Sequence, residues 1–266
     1  MSIHLADRVA ELSQPGTWSA RAFATQPVDL EQLIDPAAPA ASIDALLCAC
    51  LHDAHGRAPG KGELGAWSVA RRLDWLVAIR LAEGEAPERI ALTCPHAGCA
   101  ARFEVEFDLA ACRRPPADAP IEFADANGTP FRARPPTGTD HARWHRECTP
   151  LRSAAASLLD RADTGTPEEP DDDAIDALNR ALAQRDPLRE LPLDLACPDC
   201  GGTGRHVLNL EAHLLHIFAQ AQRQWLAEIG LLARACHWRE ADIAAMPAWR
   251  RAFYLDRIGK AGQAPA

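Results

Sequence analysis

The chain has 266 residues, a formal net charge of −9 and a sequence pI of about 5.6, which argues against binding nucleic acid through a broad basic surface. At 47% hydrophobic and 24% charged residues it can build a core, and no apolar run approaches the roughly 20 residues a membrane helix needs. The opening MSIHLADRVAELSQPG lacks a basic start followed by an apolar run, and the chain holds nine cysteines; the expectation is a cytoplasmic protein whose paired cysteines bind metal rather than form disulfides.

Residues 1–41 are rich in Ala, Pro and Asp. Leu5, Val9 and Leu12 fit a short helix stopped by Pro15 and Gly16, and Pro27, Pro36 and Pro39 punctuate an arm with little packing of its own. Ser42 reads as the N-cap of a helix reaching Gly56. After a loop over 57–62, a longer helix is predicted from Glu63 to Glu83. Leu64, Trp67, Ala70, Leu73, Leu76, Val77 and Arg80 fall at helical spacing, and Gly84 supplies the stop. A strand over Arg89–Leu92 leads into Cys94 and Cys99, which flank Pro95, His96, Ala97 and Gly98. That turn can aim both sulfurs at one point. Phe103, Val105, Phe107 and Leu109 then alternate with Arg102, Glu104, Glu106 and Asp108, the period of a strand with one dry face.

Beyond a Pro-rich joint, strands over 121–124 and 131–134 flank Asn127-Gly128, a hairpin signal. Thr139 reads as the N-cap of a helix over 140–161, an acidic Pro-rich linker covers 163–173, and a helix follows over 174–185. CPDC at Cys197–Cys200 is the second knuckle, leading through GGTGRHVLNL into a strand and then a helix from Glu211 to Cys236. Two short helices close the chain, Pro247 in the first turn of the second, before a frayed tail.

These elements predict an α+β fold, mainly helical, with a small antiparallel β part built on a split zinc-ribbon-like pair of cysteine knuckles and a β-hairpin. The organisation expected is an extended arm (1–41), helices with the first knuckle, strand and hairpin (42–138), a helical insertion with the acidic linker (139–190), and the second knuckle, long helix and C-terminal helical pair (191–266). Cys94, Cys99, Cys197 and Cys200 supply the four thiolates of a closed structural zinc site if the knuckles meet. The alternative is that the pairs are metal-free and the turns survive as packing. Cys48, Cys50, His52 and His55 cluster on one predicted helix but read as a buried Cys beside surface histidines. His213 and His216, in HLLH, lack the Glu of a zinc hydrolase motif, and Cys112, Cys148 and Cys236 stand alone as core residues. Gly201, Gly202 and Gly204 read as the turn out of a knuckle. No GxSxG, phosphate-cradling loop or paired acid–base carboxylates point to catalysis.

A helix ending in LVAIRLAEGE, then LTCPHAGCAARFEVEFDL, then a hairpin ending in FRARPPTGTD resembles the T-even phage baseplate hub assembly chaperone family, whose relatives occur in contractile injection systems. The likeness covers about Ala66 to Asp140. The segment from Leu191 to Ile258, with CPDC, a long helix and HWREADI…MPAWRRAFYL, is similar to the C-terminal part of injection-system members. The first knuckle is CPHAGC where the family has a compact CPxCG, and Pro135-Pro136 stand for Leu-Pro. The resemblance implies a non-enzymatic role: helping baseplate hub or spike proteins of a contractile tail assemble in the cytoplasm. The C-terminal helices or the N-terminal arm would offer the client surface, and Trp238, Trp249, Arg250 and Tyr254 are the candidate partner-binding residues. Retention in an assembled particle, a zinc-ribbon module acting on nucleic acid, a structural baseplate component and a zinc enzyme remain open beside it.

Overall fold

The computed structural model describes residues 18–84, 87–113, 118–160, 170–186, 188 and 190–261. The short helix expected around Leu5–Leu12, most of the acidic linker and the C-terminal tail lie outside them. The fold is mainly helical α+β: nine α-helices and four two-stranded antiparallel sheets among the described residues. None of these helices is long and apolar enough to cross a membrane. The chain forms two compact units, Met1–Pro59 with Leu214–Ala266, and Gly60–His213. The four stretches read from the sequence cut across them: one division falls at Pro59–Gly60, inside the 42–138 stretch, and the other inside the long helix.

In the first unit, β1 (Ser19–Ala20) pairs with β2 (Leu51–His52) around helix α1 (Pro39–Cys50). Residues 18–38 do not form the loosely packed arm expected: Trp18, Phe23, Asp29 and Ile34 are buried. The reason is polar as well as apolar. The Asp29 carboxylate accepts from the Arg21 guanidinium at 2.5 and 2.9 Å and from the backbone N–H groups of Thr25 and Gln26 at 3.0 and 3.1 Å. Helix α1 starts at Pro39, whose fixed φ suits a first turn. Ser42 does not cap it; its buried hydroxyl donates to the Asp35 carbonyl and accepts from the Asp35 N–H. The helix ends at Cys50 rather than near Gly56, because Leu51 and His52 turn extended to pair with β1. Cys48, Cys50, His52 and His55 therefore do not share one helix.

The rest of the first unit is α7 (Leu210–Cys236) from Leu214 onward, α8 (Glu240–Ala244) and α9 (Ala248–Ala261). Along α7, Leu215, Phe218, Gln222, Trp225, Ile229 and Leu232 are buried at alternating spacings of three and four, a helical seam. Phe218 meets Phe23 edge to face, 5.8 Å between ring centres. Gln222 is the polar exception. Its side-chain amide donates to the Asp29 carbonyl at 2.8 Å and to the Gln32 carbonyl, and its oxygen accepts from the Ile34 N–H at 3.3 Å. Leucine at this position would leave two buried backbone groups and one partly buried one unpaired, at roughly 1–3 kcal/mol for each buried group not rescued by rearrangement. Gln222→Leu is expected to lose about 2–3 kcal/mol in urea unfolding; a change under about 0.5 kcal/mol, the scale of a neutral surface substitution, would show that the clasp is unimportant.

In the second unit, the helix expected over 63–83 is two helices, α2 (Lys61–Ala66) and α3 (Val69–Leu81). Trp67 and Ser68 are extended, and the backbone groups freed by the break pair with a distant segment. Val69 N–H donates to the Pro136 carbonyl at 2.8 Å, and Gly138 N–H donates to the Trp67 carbonyl at 3.0 Å. Ser68 caps α3 by accepting from the Arg71 N–H. The same segment starts α4 (Gly138–Glu147), whose N-cap is Thr137, not Thr139. Thr139 instead donates to the Gly65 carbonyl. The helix expected to reach 161 stops at Cys148, which takes a left-handed φ of 48° ahead of Pro150, and resumes as α5 (Leu151–Ala156).

Asp140 closes the α4 capping box with Thr137 and is also held by Arg134, at 2.5 and 2.9 Å, and by Arg143 at 3.2 Å. Burial alone would raise its carboxyl; the Arg134 guanidinium and the Thr137 donors outweigh that and hold it down at about 2. A folded pKa below the unfolded value stabilises the fold above the unfolded pKa, near 4, and that stability is lost as pH falls toward 2. Because both arginines are partly solvent-screened, the contribution is about 1–2 kcal/mol. Acid titration should show Asp140→Asn less stable than the parent at pH 6, with the gap closing by pH 2; a gap independent of pH would contradict this.

Strands β5 (Ile121–Ala124) and β6 (Pro130–Ala133) form the hairpin around Asn127-Gly128. It is a wider loop than a two-residue turn. Asp125 N–H donates to the Thr129 carbonyl, and the Asp125 carboxylate accepts from the N–H groups of Asn127 and Thr129. Phe131 and Ala133 pack with Leu158, Leu159, Ala174, Ile175 and Leu178, so α5 and α6 (Asp172–Arg185) cover the hairpin.

Candidate metal centre

Two more hairpins carry the cysteines. β3 (Glu88–Thr93) pairs with β4 (Arg102–Phe107), and β7 (Leu191–Ala196) pairs with β8 (Thr203–Leu208). In β4, Phe103, Val105 and Phe107 share one face while their polar neighbours are exposed, as the alternation predicts. β7 was not expected from the sequence, although Leu191, Leu193 and Leu195 carry the same period; Pro192 and the short length mask it. Arg80, 3.1 Å from Glu88, and His213, 3.6 Å from it, anchor the start of β3. Burial would raise the Glu88 carboxyl, and these two groups bring it below its ordinary value. His213 of the HLLH pair is thus used in packing, and His216 is exposed.

Each cysteine pair sits at a hairpin tip. In the first knuckle, Cys94 N–H donates to the Ala101 carbonyl at 2.8 Å and Cys99 N–H to the His96 carbonyl at 3.1 Å. In the second, Cys197 N–H donates to the Gly202 carbonyl at 2.9 Å and Gly201 N–H to the Cys197 carbonyl at 2.9 Å. The reversals need left-handed backbone, which Gly98 and Gly201 supply at φ 84° and 67°. Gly202 lies under the His96 ring: a methyl group there would stand 2.6–2.9 Å from three ring atoms. Glycine at this position lets the knuckles approach. The hairpins face one another across a cleft lined by Leu92, Phe103, Leu195 and Arg205, among others.

The four sulfurs converge. Cys94 Sγ is 3.8 Å from Cys200 Sγ, Cys99 Sγ is 3.7 Å from Cys197 Sγ, and all four lie within 4.8 Å of one another. Four thiolates bonded at about 2.3 Å to a tetrahedral ion stand about 3.8 Å apart. The set is therefore compatible with one metal ion. No other grouping of three or more metal-ligating side chains occurs among the described residues.

The local electrostatics favour a cation. Backbone N–H groups of Cys200 and Asp199 point at Cys197 Sγ, and with help from the Cys94 and Cys200 thiols they lower its pKa to about 7. The His96 N–H pulls Cys94 the same way, but burial and the thiols of Cys197, Cys200 and Cys99 push it up to about 12. Cys99 is also raised: its neighbours Cys200 and Cys197, with burial, outweigh the Ala101 N–H. Cys197 is thus the readiest of these three to ionise, and Cys94 and Cys99 resist ionising beside it, since thiolates in contact repel. A bound cation removes that repulsion, and the turn amides are already in place as donors to the sulfurs.

The remaining cysteines stay apart. Cys50 and Cys112 are buried, Cys48 and Cys236 are half-buried, and Cys148 is exposed at the end of α4 rather than in the core. Of the candidate partner-binding residues, Trp238 and Tyr254 pack edge to face at 4.9 Å against the cluster of Trp225, Ile229 and Leu232. Trp249 is 72% exposed, and Arg250 beside it is exposed. Phe253, 53% exposed, belongs with them. Its place four residues after Trp249 was the signal for it in the sequence. Comparison of the chain with family models, curated proteins and solved structures gave no match.

Proposed function

We propose that Cys94, Cys99, Cys197 and Cys200 bind one structural zinc ion, and that the protein is a non-enzymatic assembly chaperone or accessory protein. Its clients would be the baseplate hub or spike proteins of a contractile phage tail or phage-tail-like injection system, met in the cytoplasm. The observation that carries the first part is the convergence of four thiols at tetrahedral spacing. Four protein ligands leave no open position for water or substrate, so zinc here would staple and not catalyse. It would close the loop between Cys99 and Cys197 and so hold the two hairpins as one body.

The second part rests on the resemblance of Ala66–Asp140 and Leu191–Ile258 to hub assembly chaperones. A rigid stapled body with aromatic side chains displayed elsewhere suits a chaperone that holds a client without reacting with it. Three measurements test the two parts. Metal analysis of the purified chain should return one zinc per chain. Tagged protein should capture the hub or spike proteins encoded beside it, and purified mature particles should lack it. Presence in particles at fixed stoichiometry would make it a baseplate component instead, and failure to bind any baseplate protein would remove the assembly role altogether.

A further inference from the structure

Helix α9 has two unlike faces. Arg251 is buried, and Tyr254, Leu255 and Ile258 are half-buried; these residues pack toward α7 and α8. Trp249, Phe253 and Arg257, at successive steps of four, stand on the other side and are exposed. Single exposed apolar residues are ordinary. Two large aromatics one turn apart, each among the most exposed apolar side chains of the described residues, are not.

The cations beside them separate into two kinds. Arg251 is neutralised by Glu228 at 3.3 Å and donates to the Met246 carbonyl at 2.6 Å, and Lys260 pairs with Asp256 at 2.6 Å. Arg250 and Arg257 have no carboxylate within ion-pair distance among the described residues. Each lies over a ring instead: Arg257 5.3 Å from the centre of Phe253, Arg250 5.8 Å from that of Tyr254. In a chain of net charge −9, two unmatched guanidinium groups flanking two exposed aromatics form a local exception. Trp and Arg held this way are the residue types that dominate binding energy at protein interfaces.

We infer that the Trp249–Phe253–Arg257 face of α9, with Arg250, is a docking surface for an acidic amphipathic helix of a partner protein. Apolar side chains of that helix cover the two rings, and its flanking carboxylates pair with the two guanidinium groups. A second copy of this chain fits poorly, because a two-fold contact would set Arg250 and Arg257 against their own kind. The proposal rests on the reading that this protein works by binding other proteins, and it names the chemistry of the partner.

The test uses the full chain and a labelled helical peptide of about 18 residues with Leu at helical spacing and Glu on both flanks. Versions carrying Gln or Lys in place of Glu are compared. The Glu peptide should bind and perturb Trp249 emission, with affinity falling at least about tenfold between low and high salt. Trp249→Ala with Phe253→Ala should weaken it at least about tenfold. Arg250→Glu with Arg257→Glu should do the same and should transfer preference to the Lys peptide. All these side chains face solvent, so melting temperatures should stay within about 2 °C of the parent. Equal binding of the Gln peptide, or indifference to the substitutions, would overturn the proposal. So would Trp249-dependent dimerisation, or Trp249-dependent binding to duplex DNA or anionic phospholipid vesicles in place of the peptide. Capture of hub proteins is measured in parallel: capture unchanged by the four substitutions leaves the assembly role standing and removes this face. Peptide binding without hub capture does the reverse.

Discussion

On the zinc site proposed above, Cys197→Ser protein is expected to lose metal binding and, with it, the order of the β7–β8 hairpin. Neither strand of that hairpin contains a buried residue, and an isolated two-stranded hairpin is marginal in water. What holds its tip is the knuckle. Structural zinc contributes roughly 10–16 kcal/mol in small peptides that have no other core. Here the loss should be smaller globally and nearly complete locally, because the helical clusters around Leu178 and Trp225 make no use of the cysteines. Hydrogen exchange should show amides of 193–196 and 203–208 losing at least about a hundredfold protection, the equivalent of about 3 kcal/mol. Amides of α7 beyond Trp225 should be unchanged. Equal protection in Cys197→Ser and parent would mean that packing, not metal, secures the hairpin.

Gly138→Ala should be the most damaging glycine-to-alanine change among the described residues. A Cβ there would stand 2.8 Å from Arg72 Cζ and 2.9 Å from the Leu64 carbonyl oxygen. The carbonyl cannot move without disturbing α2, and Arg72, 2% exposed, has no solvent-facing escape. Gly138 is also where the α4 start is bonded to the α2–α3 break through the Trp67 carbonyl. Overpacking in a tight interior site costs about 1–3 kcal/mol, and loss of the docked capping box adds about 1 kcal/mol. We expect Gly138→Ala to lose about 3 kcal/mol or to fail to accumulate as folded protein. Thr139→Ala, which removes only the bond to the Gly65 carbonyl, should lose about 1 kcal/mol. Equal tolerance of the two would show that the close approach at Gly138 is not a constraint.

Local signals in the sequence located much of this. The period-two run after Cys99, the Asn-Gly hairpin and the heptad-like seam of α7 each follow from near neighbours in the chain. So do the two knuckles, whose turn residues and cysteine spacing announce metal-ligand geometry. The readings that differ have one physical cause: distant partners overrode local preference. The 63–83 pattern is continuous for a helix, yet it breaks at Trp67-Ser68 because Pro136 and Gly138, far along the chain, supply replacement hydrogen bonds. Ser42 has cap chemistry, but Asp35 occupies it. Residues 18–38 look like an arm because their anchors, Asp29 and the Gln222 clasp, are a buried carboxylate and an amide that hydrophobic patterning does not register. At the site, the four cysteines that converge could be picked out from their spacing. That the hairpin tips meet could only be assumed, since a long stretch of chain separates them and no local pattern encodes its closure.

The zinc site proposed for the cysteine cluster carries the remainder, and X-ray absorption at the zinc edge of the protein as purified tests it most directly. The account predicts zinc at one equivalent with four sulfur neighbours at about 2.3 Å and no light-atom ligand. A shell of two or three sulfurs completed by oxygen or nitrogen would contradict it, as would protein that folds with all four thiols free and no bound metal.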